Sequence, residues 1–285
     1  MEVGKIHRNW KEKMIFMKNY IDSFMRYRFL LVELVKKGIK LKYRRSYLGL
    51  IWTLLEPLLT MIVLTFVFGS MLGSKGGVYG PELYPVYILC GRLLYSCFSS
   101  ASKIGMRSIR SNQAMIKKVY VPKYLYPLSS VIYNYVIFLL SLIVLAIVGV
   151  VRGIPLTWHI IEIVIPVFVL LIMCIAAAMF LSTVCVFFRD IEYLWDVLLM
   201  LLMYCSAIFY YVDNIGSSVV RTVIRMNPLY CIIENFRHIV LLGESIFTSS
   251  MEINMLIYSS VFSVVALVIS VIVFKKNQDR FILYI

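Results

Sequence analysis

The stretch LKYRRSYLGLIWTLLEPLL, residues 41–59, runs from a cluster of basic residues directly into a long apolar segment. Lys42, Arg44 and Arg45 are followed by Trp52 and then by apolar sequence. Positive charge placed immediately before an apolar segment is typical of a first transmembrane helix whose start is held on the cytoplasmic side. About 20 apolar residues cross the hydrocarbon core of a bilayer. The stretch therefore predicts a membrane span that begins just after the basic cluster.

The composition of the whole chain agrees with a membrane protein. Of its 285 residues, 61% are apolar and 15% are charged, whereas a soluble domain has about 45–50% and about 25% respectively. The net charge of +14 would suggest nucleic-acid binding in a soluble chain. Here the basic residues flank apolar segments, so we interpret them as determinants of topology and as contacts to anionic lipid headgroups.

Six segments are apolar and long enough, or nearly so, to cross the bilayer. The predicted spans are about 51–72, 84–103, 128–150, 159–187, 194–212 and 255–274. The second is the weakest, because Arg92 interrupts it. We therefore expect an all-α membrane protein with six transmembrane helices, divided into a cytoplasmic N-terminal segment (1–50) and a transmembrane domain (51–285).

The placement of lysine and arginine predicts the orientation of these spans. If the chain crosses six times, 23 basic residues fall on the side of the termini, 5 fall on the opposite side, and Arg92 lies within a span. Because cytoplasmic loops carry an excess of basic residues, both termini are predicted to be cytoplasmic.

The residues before the first span predict an amphipathic helix. Between Tyr27 and Arg45, apolar residues recur at helical spacing and charged residues fall on the opposite face. The apolar positions are Tyr27, Leu31, Leu34, Val35, Gly38 and Leu41. A basic amphipathic helix next to a span typically lies in the membrane interface; the alternative is an ordinary solvated cytoplasmic helix.

The outer connection between the last two spans, 213–254, is too long to be a simple turn. It contains LYCIIENFRHIVLLGE, residues 229–244, which is too short and too charged to cross the bilayer. Two interpretations remain open for this stretch: a re-entrant helix that enters the outer leaflet, or a helix on the outer surface.

The sequence shows no arrangement of residues that predicts an enzyme. None of the three histidines pairs with a cysteine, a carboxylate or a second histidine at the spacing of a metal site. Asn235 and His238 are one turn apart, as in some membrane acyltransferases, but no supporting polar cluster surrounds them. No phosphate-binding loop is present. We therefore expect no catalytic residues and no metal site, and ATP hydrolysis would require another chain.

Two charged residues within predicted spans are candidates for function. Arg92 lies in the second span, where a charge costs at least about 2.5–3.5 kcal/mol. It is either a wall residue of a polar path that meets an anionic group, or a residue that pairs with another helix or reaches the outer headgroups. Glu56 lies one turn inside the first span, next to Pro57, and either pairs with nearby basic residues or belongs to the same path.

Five stretches together resemble the ABC-2-type permeases that export polysaccharides. They match in order and at the family's spacing over about residues 25–285. The stretches are LKYRRSYLGLIWTLLEPLLTMIVLTFVFG (41–69), AMIKKVYVPKYLYPLSSV (114–131), FFRDIEYLWDVLL (187–199), MNPLYCIIENFRHIVLLGE (226–244) and KKNQDRFILYI (275–285). Two positions differ from the family, which often has Asn in place of Glu56 and in which Arg92 is not expected.

This resemblance implies a fold, partners and a substrate class. The fold would be the ABC-2 (type V exporter-like) transmembrane domain, with the N-terminal amphipathic helix acting as an interfacial gate. The chain would work as a homodimer with two copies of a separate ABC ATPase, which would bind ATP and Mg²⁺; this chain itself would carry no cofactor. The substrate would be an O-antigen, teichoic acid, capsular or cell-wall glycan, commonly linked to polyprenyl diphosphate, in the cytoplasmic membrane of a bacterium.

The resemblance also implies roles for individual residues. Those predicted to couple the chain to the ATPase are Ile116, Lys117, Lys118, Pro122, Arg189 and Asp190. Those predicted to contact the substrate path or the lipid diphosphate are Arg44, Arg45, Glu56 and Arg92. The rival functions are an ABC-2 permease for drugs or small lipids and an ion-driven secondary transporter. The latter normally needs carboxylates deep in several spans.

Overall fold

The computed structural model describes residues 27–44, 46–69, 79–119, 121–155 and 157–284. Within these ranges the secondary structure is entirely helical. In chain order the helices are α1 (27–43), α2 (Trp52–Phe68), α3 (Tyr84–Ser111), α4 (Gln113–Ile116), α5 (Leu125–Val151), α6 (Val164–Phe187), α7 (Ile191–Cys205), α8 (Ser218–Arg225), α9 (Pro228–Arg237), α10 (Ser250–Asn277) and α11 (Phe281–Tyr284). The all-α prediction is thus confirmed for the described residues.

Within the described residues, four helical segments are long and apolar enough to cross a membrane. They are Gly49–Phe68, Leu125–Val151, Trp158–Phe187 and Ser250–Tyr284, and they correspond to the first, third, fourth and sixth predicted spans. The helices at the second and fifth predicted spans, α3 and α7, do not meet this criterion. That they also cross the membrane remains a prediction.

The physical reasons for these two exceptions differ. Helix α3 has 28 residues, which is ample length, but it is more polar than the others because it contains Arg92 and several serines. Most of α3 is buried against α5, α6 and α9, so protein rather than lipid surrounds it. Helix α7 has 15 residues, a length of about 22 Å, and the predicted span 194–212 is helical only as far as Cys205.

One cluster of buried apolar residues gathers the helix ends that are predicted to be cytoplasmic. It contains Leu31 of α1, Ile109 of α3, Leu125 of α5, Val186 of α6 and Phe274 of α10. We call this end of the bundle the inner end. Because these ends belong to helices that are predicted to alternate in direction, their proximity agrees with that alternation. That this end faces the cytoplasm remains a prediction.

The opposite, outer end is closed by the segment between α7 and α10. The Thr157 hydroxyl donates to the carbonyl of Gly243 at 2.9 Å. The Glu162 carboxylate accepts from the Ser245 hydroxyl at 2.9 Å and from the amide of Ile246 at 3.0 Å. These hydrogen bonds fix the segment onto the start of α6 and the 3-10 turn before it.

Helix α9 covers the first part of the stretch 229–244, for which two interpretations were left open. Eight of the ten residues of α9 are buried, and α9 packs against α3, α6 and α10. It therefore enters the bundle instead of lying on its surface. In α8, by contrast, Ile224 is the one buried residue, so α8 lies at the surface.

Helix α1 is present where the amphipathic pattern predicts it, and part of its apolar face packs on protein. Leu31 and Leu34 are buried, whereas Leu41 is exposed. Gly38 lies so close to α5 that an added Cβ would be 2.5 Å from the Tyr133 ring. The location of α1 in a membrane interface remains a prediction.

Two of the helices that are predicted to cross the membrane have only one buried residue each within the described chain. Thr53 is the one buried residue of α2, and Leu199 is the one buried residue of α7. Both helices expose large apolar side chains, among them Ile62 and Phe66 on α2 and Val197 and Leu201 on α7. In water such surfaces would be unstable, so lipid or another protein chain must cover them.

Candidate functional site

A polar cleft lies between α2, α3 and α5, and the end of α1 closes one side of it. Its volume is about 80 Å³, which is room for several water molecules. Most of the side chains that line it are polar. The polar lining residues are Lys42, Tyr43, Thr53, Glu56, Thr60, Arg92, Ser96, Ser100, Asn134 and Ser141. A cleft of this polarity among membrane helices is where a polar substrate or its charged headgroup would be accommodated.

The structure brings together the two charged residues within predicted spans that were candidates for function. Glu56 and Arg92 both line the cleft, from α2 and α3 respectively. The Arg92 guanidinium lies 3.8 Å from the sulfur of Met203 and 5.9 Å from the centre of the Tyr95 ring. Among the described residues no carboxylate lies within ion-pair distance of Arg92, so its charge is available to the cleft.

Lys42 is a third charged residue of the cleft, and it was not among the site residues predicted from the sequence. The residue as a whole is exposed, but partial burial of its amine lowers the pKa of that group, while the nearby Glu56 carboxylate acts in the opposite direction. Lys42 follows Gly38 by one helical turn, and Gly38 packs against Tyr133 of α5. The signal in the sequence was limited to the position of Lys42 in the basic cluster before the first span.

The other two predicted contact residues of this region do not line the cleft. Arg44 is exposed beyond the end of α1 and is absent from the cleft wall. Arg45 lies outside the described residues. Of the four residues predicted to contact the substrate path, Glu56 and Arg92 are therefore the two that the structure places together.

Hydrogen bonds to the backbone hold α2 against α5 beside the cleft. The Ser141 hydroxyl of α5 lies 3.0 Å from the carbonyl of Ile137 and 3.2 Å from that of Thr53. The Thr53 hydroxyl in turn donates to the carbonyl of Leu50 at 2.6 Å. Hydroxyls that bond backbone carbonyls across helices stabilise helix pairs in membranes, so the wall formed by these helices has a defined geometry.

The residues predicted to couple to an ATPase lie at two corners of the inner end. The first corner follows α3: Lys117 and Lys118 are exposed, whereas Ile116 is buried and Pro122 is half-buried. The buried Ile116 side chain belongs to the inner apolar cluster, so it anchors α4 instead of facing outward.

The second corner lies between α6 and α7. Phe188, Arg189 and Asp190 are all exposed there, and Phe188 has 70% of its surface accessible. An exposed phenylalanine next to charged residues is suited to contact with another protein.

Polar contacts connect the two corners along α3 and α7, and we call them the α3–α7 seam. Glu192 accepts from Arg107 at 2.8 Å and from Arg110 at 2.6 Å. Further along the seam, Lys103 pairs with Asp196 at 2.7 Å. The remaining contacts are Trp195 Nε1 to Ser102 Oγ at 3.1 Å and Tyr95 Oη to the carbonyl of Leu199 at 2.6 Å.

The seam was not predicted from the sequence, although the spacing of its charged residues indicates it. The basic residues of α3 that take part recur every three or four positions, and the two carboxylates of α7 are four positions apart. This spacing places each set on one helical face. Together with the apolar contacts of residues such as Trp195 and Leu199, the seam attaches α7 to the bundle.

Comparison with a family model and comparison with individual proteins give results that agree with each other. Residues 30–241 match the family model for ABC-2 type transporters. The chain is similar to the O-antigen export system permease protein RfbA of Myxococcus xanthus, with 27% identity over 224 residues that cover 78% of this chain and 84% of that protein. A Klebsiella pneumoniae protein of the same name is 28% identical over 258 residues, covering 88% of this chain and 93% of its own length.

Proposed function

The chain belongs to the ABC-2 type transporter family, and on that premise we propose that it is the membrane-spanning subunit of an ATP-driven exporter of polysaccharide. The observation that carries this proposal is its similarity, over 88% of the chain, to a protein named as an O-antigen export permease. A glycan is therefore favoured over drugs or small lipids as the cargo. An ion-driven secondary transporter is not favoured by this family.

In this proposal the chain crosses the cytoplasmic membrane of a bacterium six times, with both termini in the cytoplasm. The crossing helices are α2, α3, α5, α6, α7 and α10. The distribution of basic residues and the inner apolar cluster support this orientation.

The partner that hydrolyses ATP would be a separate ABC ATPase, which would bind ATP and Mg²⁺. Its docking sites would be the two inner corners, around Lys117 and Lys118 and around Arg189 and Asp190. The exposure of these residues supports this assignment. The seam would carry movement between the corners, because it joins the end of α3 to the start of α7 through charged hydrogen bonds.

Two copies of the chain would form the transport pathway. A cleft of about 80 Å³ in a single chain is too small for a sugar chain, so a wider passage requires a second copy. The uncovered apolar surfaces of α2 and α7 support a homodimer. The cleft would then face the passage, where Lys42 and Arg92 would contact the negative charge of a lipid diphosphate that carries the glycan.

The test is association with the ABC ATPase of the same transport system. Both chains are co-expressed, purified in lipid nanodiscs and assayed for ATP hydrolysis. We expect co-purification, and we expect Lys117→Glu or Lys118→Glu to weaken association and lower hydrolysis. Arg152→Glu is the matched control, because it reverses one exposed charge at the outer end of α5. If the ATPase fails to associate with the unmodified chain, the proposal is wrong.

A further inference from the structure

The six residues that follow α7 form a non-helical segment where the sequence predicted a continuing helix. Residues 206–211 include Ala207, whose φ of 46° lies in the left-handed region that non-glycine residues rarely adopt. Helix α7 ends after only about 22 Å, so this segment lies within the depth of a 30 Å hydrocarbon core if α7 starts at the inner surface. Non-helical backbone at that depth is stable only when other protein groups satisfy it.

Side chains satisfy carbonyls of this segment and of the last turn of α7. The donors come from α3, from the segment itself and from Asn227, the residue before α9. The contacts are Tyr210 Oη to Tyr204 O at 2.6 Å, Asn227 Nδ2 to Cys205 O at 3.2 Å, Tyr84 Oη to Phe209 O at 2.6 Å and Tyr87 Oη to Tyr210 O at 2.8 Å. If α7 continued, these carbonyls would accept hydrogen bonds from its backbone amides. Here side chains donate to them instead.

Arg237 makes the largest set of these contacts. Its Nη1 donates to the carbonyl of Ala207 at 3.1 Å and its Nη2 to that of Ile208 at 3.4 Å. Its Nε donates to the carbonyl of Tyr87 on α3 at 3.2 Å. One side chain therefore connects α9, α3 and the end of α7.

The Arg237 side chain is completely buried, and its charge is compensated locally. Its guanidinium lies 3.5 Å from the centre of the Tyr87 ring and 3.4 Å from the Glu234 carboxylate. Glu234 is itself held by the Tyr79 hydroxyl at 2.7 Å. A buried charge with this many partners is stable in place, whereas removing it takes a donor from the carbonyls of Ala207 and Ile208 and the counter-charge from Glu234.

The backbone of α3 is adapted to this guanidinium. A Cβ added at Gly91 would overlap Nη2 of Arg237. Gly91 is therefore required for packing, since only a residue without a side chain lets the guanidinium lie against α3. This gives two independent ways to disturb the same contact, one at Arg237 and one at Gly91.

We propose that Arg237 is a positioning residue for export: it holds the end of α7 unwound beside α3 and connects it to α9. The α3–α7 seam holds the inner end of α7 against α3, and Arg237 holds the outer end of α7 against α3. Helix α7 is therefore attached to α3 at both of its ends. Movement applied at the inner corner is then transmitted to the outer segment, because α7 cannot slide along α3. Only this transmission of movement rests on the proposed export function.

The experiment measures the exposure of the segment directly. Ile208, which is completely buried, is changed to Cys in a background with Cys205→Ser, because the other five cysteines are buried. The complex with its ATPase, in lipid nanodiscs, is labelled with a water-soluble maleimide. We expect Arg237→Met and Gly91→Ala each to speed labelling by about tenfold or more, and Arg237→Lys to have a smaller effect. Arg225→Met on α8 is the matched control.

Export and ATP hydrolysis are then compared for the same variants. We expect export to fall while ATP hydrolysis continues, with partial rescue by Arg237→Lys. If Arg237→Met and Gly91→Ala insert normally but are labelled no faster than the control, the proposal is overturned. If Arg237→Met fails to insert, Gly91→Ala decides the outcome. Faster labelling with unchanged export would overturn the role in transport. Absence of export in the unmodified complex would instead contradict the proposed function.

Discussion

Arg110 on α3 and Glu192 on α7 form an ion pair of 2.6 Å at the inner end of the bundle. Arg107 pairs with the same carboxylate at 2.8 Å, so two turns of α3 are joined to the first turn of α7. Glu192 lies directly after the exposed residues Arg189 and Asp190. A contact made at that corner therefore reaches α3 through one carboxylate.

The ion pair between Lys103 and Asp196 in the seam offers a charge-swap test of this connection. We expect Asp196→Lys to lower the stability of the purified chain by about 1 kcal/mol, because it places like charges together at a partly exposed site. It should also reduce the stimulation of ATP hydrolysis by substrate. Adding Lys103→Asp should restore both properties, since the pair is re-formed with the charges exchanged. Thermal unfolding in detergent measures the first effect. A double variant no better than Asp196→Lys would contradict the pairing.

Arg92 provides a test of the polar cleft. We expect Arg92→Gln to reduce export by about tenfold with normal insertion, because it removes a positive charge that no carboxylate pairs within the described chain. Arg92→Lys should retain much of the activity. Arg152→Gln, on the exposed outer end of α5, is the matched control. Export in whole cells is the measurement, and equal export by Arg92→Gln and the control would exclude Arg92 from the pathway.

Substitutions at Lys42 and Arg44 distinguish the contact residue that the structure indicates, Lys42, from the one that was predicted from the sequence, Arg44. We expect Lys42→Gln to reduce export more than Arg44→Gln, because Lys42 lines the cleft and Arg44 does not. Both changes remove one positive charge before the first span, so their effects on topology should be equal. The measurement is export normalised to the amount of inserted protein. A larger effect of Arg44→Gln would mean that the headgroup is bound at the exposed end of α1.

Gly38 tests whether α1 must pack on α5 for export. An added methyl group would be 2.5 Å from the Tyr133 ring, so Gly38→Ala should displace α1 and lower export. Combining it with Tyr133→Leu should relieve the overlap and recover part of the activity. The double variant is compared with Tyr133→Leu alone. If Gly38→Ala has no effect, the position of α1 on α5 does not matter for transport.

Much of the fold was predictable because its determinants are local. Apolar runs predict the positions of α2, α5, α6 and α10, because a helix forms all of its backbone hydrogen bonds within one segment and is therefore stable in lipid. The charge asymmetry of the connections predicts direction, and the amphipathic pattern predicts α1. The resemblance carried by stretches such as 114–131 and 226–244 identified the family, which the family match confirms.

The candidate site was only half predictable. Arg92 and Glu56 were conspicuous because a charge in an apolar run is costly. The packing of α1, α2, α3 and α5 decides that Arg92 and Glu56 line one cleft. It also decides that Lys42 lines this cleft and that Arg44 does not.

The sequence by itself determined which segments are helical and which end of each is basic, because hydropathy and charge act within a single segment. Only the tertiary structure decided where α7 stops, that α9 is buried, and which polar residues pair. Helix α7 ends at Cys205 because Arg237, Tyr84 and Tyr87 bond the carbonyls that follow it. Those donors come from positions more than 20 residues away in either direction, so no pattern within the segment could indicate that end.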